Sequence, residues 1–203
     1  MDPLSSRRPR RTALTNAVLT IVAERGLDQV SVREVAATAG VSIGTVQHYF
    51  PTKDDMLLAA FNDVVQRIRQ RISSLCAGPH VRNNLSAVLH QLLPLDDERA
   101  AESRIVLAFA ARAATSPALA GVQQTILTEI TGALTDAFAL AAAHATTDRC
   151  RLAAHIALAA TDGLALHAAS THGWISASQL STTLDFLLDM LLPTTEPGYA
   201  ITP

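Results

Sequence analysis

Between Ser42 and Lys53 the chain sets a hydrogen-bonding or cationic side chain at Thr45, Gln47, His48, Tyr49 and Lys53. Hydroxyls and amides at helical spacing suit the donor and acceptor pattern of base edges in a DNA major groove, while ammonium and guanidinium groups suit phosphates. Thr45 and Gln47 are the best direct base readers. His48 and Tyr49 suit a phosphate or a thymine methyl, and Lys53 a phosphate. Arg33, one helix earlier, can reach a guanine edge or a phosphate. Gly44 lets the backbone approach DNA, since a side chain there would stand between helix and groove. Ser42 opens the helix as its cap and belongs with the same set. Phe50 is a core residue; Tyr49 either packs beside it or faces DNA.

These side chains need short, crossed helices to hold them. Ser31 with Glu34 three residues on predicts a capping box, and Val32, Val35, Ala36 and Ala39 then face inward. Gly40 supplies the permissive backbone of a tight turn before Ser42. Pro51-Thr52-Lys53 ends the second of these helices and starts another. This is the pattern of a helix-turn-helix whose second helix is read by a partner. A preceding helix is expected over 12–25, with Leu14, Val18, Ile21 and Val22 on one face and Gly26 at its end. Residues 1–11 are expected to be disordered when free, their Arg7, Arg8, Arg10 and Arg11 forming a basic arm for phosphates or a minor groove.

The run from Val30 to Leu57, with A-G-V-S at 39–42, G-T at 44–45, Y-F at 49–50 and Lys53, resembles the N-terminal DNA-binding domain of the TetR family of bacterial transcriptional regulators. The helix ending in Ala23-Glu24-Arg25-Gly26-Leu27 is similar too. Where most members carry a tyrosine this chain has Gln47, so a contact usually made by a phenol falls to an amide or is lost. The resemblance implies an all-α protein: a three-helix helix-turn-helix head followed by a larger helical domain for ligand binding and dimerisation. It also implies two C-terminal helices packed on their symmetry mates as a four-helix bundle, and a ligand pocket among the middle helices.

Composition agrees with the all-α reading: 49% of residues are hydrophobic and only 4% aromatic, with Ala and Leu abundant. The net charge of −2 is uneven. Residues 1–53 hold seven Lys/Arg and four Asp/Glu, a net +3, while residues 54–203 hold nine and fourteen, a net −5. A basic end on an acidic body suits a protein that meets a polyanion at one end. Cys76 and Cys150 are expected to be buried thiols in a reducing cytoplasm. No phosphate loop, H-E-x-x-H, C-x-x-C or G-x-S-x-G is present, so neither an enzyme nor a cofactor is expected. His155, Asp162 and His167 are poorly spaced for one helical face, which argues against a metal site. The same three residues argue against a membrane span over 152–170.

In the body, Leu57, Phe61, Val64, Val65, Ile68, Ile72 and Leu75 predict one long helix, about 35 Å at 1.5 Å per residue, linking head to body. Further helices are expected over 81–93, 98–115, 117–143, 148–171 and 177–191. A single head reads too few base pairs, so a homodimer on a palindromic operator is expected, with half-sites about 34–36 Å apart or a multiple. Leu180, Leu184, Leu187, Leu188 and Leu191 offer one dimer stripe. Leu152, Ile156, Ala159, Ala160, Gly163 and Leu164 offer another; either stripe could instead be satisfied within one chain. Phe109, Arg112, Phe138, Asp162, His167 and Trp174 are the candidate fixtures of an effector pocket.

The expected layout is a DNA-binding domain at 1–53, an effector and dimerisation domain at 54–192 and a flexible tail at 193–203. The leading reading is a cytoplasmic repressor whose operator binding is relieved by a small-molecule effector. The alternatives are an effector-independent DNA-binding regulator and, in a different class, an all-helical protein-interaction module.

Overall fold

The computed structural model describes residues 3–75, 78–142, 145–171 and 173–192. Among them are nine α-helices and no strand: α1 (Pro3–Arg25), α2 (Val32–Ala39), α3 (Ile43–Tyr49), α4 (Lys53–Ser73), α5 (Val81–Leu89), α6 (Asp97–Ala113), α7 (Pro117–Ala141), α8 (Thr147–Ser170) and α9 (Ala177–Leu191). The tail at 193–203 and Cys76 lie outside the described residues.

Local chemistry sets the boundaries. Ser31 accepts from the Glu34 amide at 3.2 Å and so caps α2. The expected reciprocal half of that box is not made, because the Glu34 carboxylate pairs with Arg25 at 2.8 Å and ties α2 to the end of α1. Gly40, at φ 65°, ends α2. The Val41 amide reaches back to the Ala36 carbonyl and the Gly40 amide to that of Ala37, a Schellman turn that needs the left-handed conformation. Ser42 accepts from the Thr45 amide at 3.1 Å and caps α3. Thr52 and Asp55 cap α4 reciprocally, at 3.1 and 3.0 Å.

The basic arm departs from expectation. Instead of a free segment before residue 12, the helix already runs from Pro3, with Pro9 inside it. Arginine is a good helix former and proline is tolerated at the first helical position, so this stretch extends α1 although Pro9 contributes no N–H.

Two cores follow. The first packs α1 to α4 around Val18, Ile21, Val46, Phe50, Leu57 and Phe61, and takes in Ile105 and Phe109 of α6 and Leu119 of α7. Phe109 stacks on Phe61, centroids 3.8 Å apart and planes 6° from parallel. The head therefore shares its core with the body, and no clean cut falls at residue 53. The second core joins α5, α7, α8 and α9 through Leu85, Leu89, Leu134, Phe138, Leu158 and Leu184. Phe138, expected at a pocket, is a buried member of this core. Cys150 is buried there with a free thiol. By length and composition α8 could cross a membrane, but it packs on α7, and its buried face, from Cys150 to Ala165, lies inside the protein.

Candidate nucleic-acid interface and effector cavity

The outer surface of α3 is small and polar. Gly44, Gln47 and His48 are exposed, and Val46 and Phe50 are buried beneath them. Gln47 thus presents its amide free of the head's packing. Thr45 is half-buried, its hydroxyl 2.9 Å from that of Ser42, so these two hydroxyls are held together at the start of the helix. Tyr49 is half-buried against the first core, with His48 edge-on at 5.3 Å. Arg33 is exposed. The Lys53 ammonium donates to the Asp28 carbonyl at 3.4 Å, which steers it along the same side of the head. Ile43 was missed from sequence: it is 47% exposed at the first position of α3, where an apolar side chain can meet a thymine methyl. Its spacing of i, i+3 and i+7 with Val46 and Phe50 reads as a core position, and its place straight after the cap, before the helix's buried face begins, is the available signal.

A cavity of about 170 Å³ lies between α4, α6, α7 and α8. Its walls are mainly apolar, including Phe61, Val65, Ile68, Val106, Ile126 and Leu158. A second cavity of about 320 Å³ shares Val65, Ile68, Leu92, Ile126 and Ile130 with it and runs on to Ile72 and Leu134. On the opposite side an open cleft of about 880 Å³ between α7 and α8 shares Gln123, Leu127, Leu158 and Asp162.

Among the polar lining groups, Glu102 is nearly buried and held by Arg71 of α4 through two hydrogen bonds of 2.9 and 2.6 Å. Hydrogen bonding to Glu102 raises the Arg71 pKa further. Arg99 is engaged by Asp96 and by the His90 carbonyl. The backbone amide of Arg99 is the chief reason the Asp96 carboxyl titrates below its ordinary value. The Gln123 amide oxygen, by contrast, is buried with no partner. Asp162 sits at the edge of α8, with solvent on one side and apolar wall on the other. The open side keeps water's access, while the apolar wall desolvates the carboxylate and pushes its pKa up to about 6.

Of the six expected pocket residues, only Asp162 lines the cavity. Phe109 stands one layer behind, its ring stacked on Phe61, which forms the wall. Arg112 reaches outward and grips Asp54 in the first turn of α4 with two hydrogen bonds, 2.8 and 3.0 Å. His167 and Trp174 meet edge-on at 5.8 Å on the surface, with Trp174 exposed. Glu102 and Gln123 were legible as polar residues in phase with buried neighbours, Glu102 with Ile105 and Phe109, Gln123 with Leu119 and Ile126.

Residues 14–60 match the bacterial regulatory proteins of the tetR family, and residues 81–193 match the C-terminal domain of BetI-type transcriptional repressors. The second match alone covers more than half of the chain. The chain belongs to the TetR family. A solved transcriptional regulator from a Rhodococcus species is 38% identical, with a TM-score of 0.83 over 89% of this chain and 95% of that one. The HTH-type transcriptional regulator PksA of Bacillus subtilis is 30% identical over 105 residues, 51% of each protein, so the chain spans about half the length of this curated relative. A transcriptional regulator from Saccharomonospora viridis, solved in complex with choline, shares the fold at 17% identity, with a TM-score of 0.78 over 90% of this chain and 97% of that one. The TetR family comprises DNA-binding, effector-responsive regulators and not enzymes.

In this TetR-family chain the outward face of α8 carries Leu152, 60% exposed, and Ile156, 49% exposed, near Ala159 and Gly163. On α9 the expected leucine stripe turns inward: Leu180, Leu184 and Leu188 are buried in the chain's own second core. The outward apolar side chains are Phe186 and Met190, 65% and 67% exposed. Leucines at i, i+4 and i+8 satisfied the protomer first, which left the next strip of the helix for any partner.

Proposed function

We propose that this protein is a homodimeric, cytoplasmic TetR-type repressor that binds a palindromic operator and releases it when a small molecule occupies the cavity between α4, α6, α7 and α8. Residues 1–53 act as the reading head, and residues 54–192 carry the effector site and the dimer face. Thr45 and Gln47 read base edges, Ile43 meets a thymine methyl, and Arg33, Ser42, His48, Tyr49 and Lys53 position the head on phosphates, with Gly44 allowing close approach. The exposed residues of α8 and α9, Leu152, Ile156, Phe186 and Met190, support self-association, since large apolar groups grouped on adjacent outer faces favour burial against a second copy.

The observation that carries effector control is the bonded path from cavity to head. Glu102 lines the cavity and grips Arg71 of α4. From the same α6, Arg112 holds Asp54 at the start of α4, and Arg104 donates to the Ala23 carbonyl of α1 at 2.9 Å. Any occupant that separates α4 from α6 therefore alters how the head is held. An effector must bind the released form more tightly than the DNA-bound form, or nothing shifts. Choline itself is a poor candidate here. Quaternary ammonium sites rely on several aromatic faces, and among the described residues Phe61 is the single aromatic lining this cavity.

The test is selection of bound sites from random duplex DNA, followed by operator titration with and without small molecules. A palindrome with affinity that falls on effector addition is expected. Enrichment of no sequence would overturn the reading, and a palindrome whose affinity no cavity ligand alters would leave a regulator without effector control.

A further inference from the structure

The polar groups around the cavity are not equivalent once their partners are counted. Glu102 is neutralised by Arg71, and Arg99 by Asp96. In the cleft, Arg151 is paired with Asp148 at 2.9 Å. The hydroxyl protons of Thr128, Thr131 and Thr135 already go to carbonyls one turn back on α7, so these oxygens have only lone pairs left to offer. His155 also lines the cleft. Ser103, Gln124 and His155 can each donate or accept, whereas the Gln123 amide oxygen is buried and unpartnered and the Asp162 carboxylate has no countercharge among the bonds described. Both stand where the cleft meets the apolar cavity. Beyond them the walls are apolar through Val65, Ile68 and Ile126 and onward to Ile72 and Leu134.

Resting on the effector-controlled reading above, we infer that the effector is an elongated apolar molecule ending in a protonated amine, its N–H groups donating to Gln123 and Asp162 at the cleft while its tail fills the two apolar cavities. The unpaired charge in this set is an anion, and with the unpartnered Gln123 oxygen it favours a head that donates. An acid at the cleft mouth that lacks a countercharge and backs onto an apolar wall favours an arriving cation, and a carboxylate head would face it with like charge. Desolvation of Asp162 agrees with a site that gains most from an arriving positive charge.

The test uses the full-length protein and four probes with the same tail: n-octylamine, octan-1-ol, octyltrimethylammonium and octanoate, each titrated by calorimetry at pH 7.5. Octylamine should bind at least tenfold more tightly than the other three. Asp162→Asn should erase its advantage over octanol and leave octanol affinity unchanged, and Gln123→Leu should weaken octylamine severalfold. Ile68→Trp, which fills the shared wall, should abolish binding of all four. The inference falls if octanoate or octyltrimethylammonium matches octylamine, if Asp162→Asn keeps the amine preference, if Ile68→Trp leaves binding intact, or if no probe binds. Repeating the titrations on operator-bound protein separates the two readings. Selective amine binding that leaves operator affinity unchanged would sink effector relief alone. Operator release by octanoate would sink the amine assignment alone.

Discussion

One apolar face of α4 has two fates along its length. Its first half, with Met56, Leu57, Phe61 and Val64, is buried in the head's core. Its second half, with Val65, Ile68 and Ile72, borders cavities of about 170 and 320 Å³. Both halves keep the same spacing and nearly the same residue types. What differs is the neighbour: α1 and Phe109 of α6 pack against the first half, while the space between the second half and α7 stays open. A helix-turn-helix must hold its reading helix still, because a small error in position forfeits base contacts. An effector domain needs unfilled volume and accepts the lost packing.

Truncation should expose that contrast most strongly. Phe50→Ala empties a site that is 1% exposed and should cost about 3–5 kcal/mol, read as a lowered urea midpoint. Ile68→Ala, at a wall that already borders space, should cost clearly less; equal costs would mean the cavity is closed in solution. Enlargement should reverse the sign between regions. Ala60→Leu in the head, where Ala60 is fully buried, should destabilise by about 1–3 kcal/mol. Ala110→Leu, at the cavity, should stabilise by about 0.5–2 kcal/mol while blocking ligand. Thermal unfolding of the two variants side by side decides it.

Gln47→Ala should leave stability unchanged and cost about 1–3 kcal/mol of discrimination between operator and mismatched sites. Measured against salt, its slope should match that of the parent, because no phosphate contact is removed. A changed slope would reassign Gln47 to the backbone.

The smallest effect concerns pH. Asp162 titrates at about 6 in the folded chain, above the roughly 3.9 of a free aspartate. Folding therefore takes up a proton between these values, and this group's contribution to stability falls as pH rises from about 4 to about 6. Asp162→Asn should remove that decline and leave the variant relatively more stable at pH 7 than at pH 4. Unfolding midpoints at the two pH values check the sign.

The reading head was legible in sequence because its devices are local. Ser31, Gly40, Ser42 and Thr52 each act on a backbone group within a few residues, and all four do what their types predict. The cavity was legible only in part, since it depends on which long side chains meet across helices. Arg112 in α6 was read as a pocket residue, but an arginine reaches far enough to find Asp54 outside it. Phe109 was read as wall and is the layer behind, because Phe61 lies over it. On α9, periodicity revealed an apolar stripe without saying whether the protomer or a partner would cover it. Phe186 and Met190, on the less regular strip, were left outward.

With 21 residues, α4 is a rod about 32 Å long at 1.5 Å per residue, joined to the cavity wall at Arg71 and to the recognition helix through Lys53. Such a rod works as a lever arm. A tilt of about 5° at the cavity end carries the far end roughly 3 Å, close to the 3.4 Å step between stacked nucleotides. In the proposed dimer, two heads moved apart by even one such step each would no longer fall on successive faces of the duplex. Under the proposed mechanism, release from DNA would require no unfolding of the head and no broken cap, only a change of angle taken up where Phe61 of α4 meets Phe109 of α6.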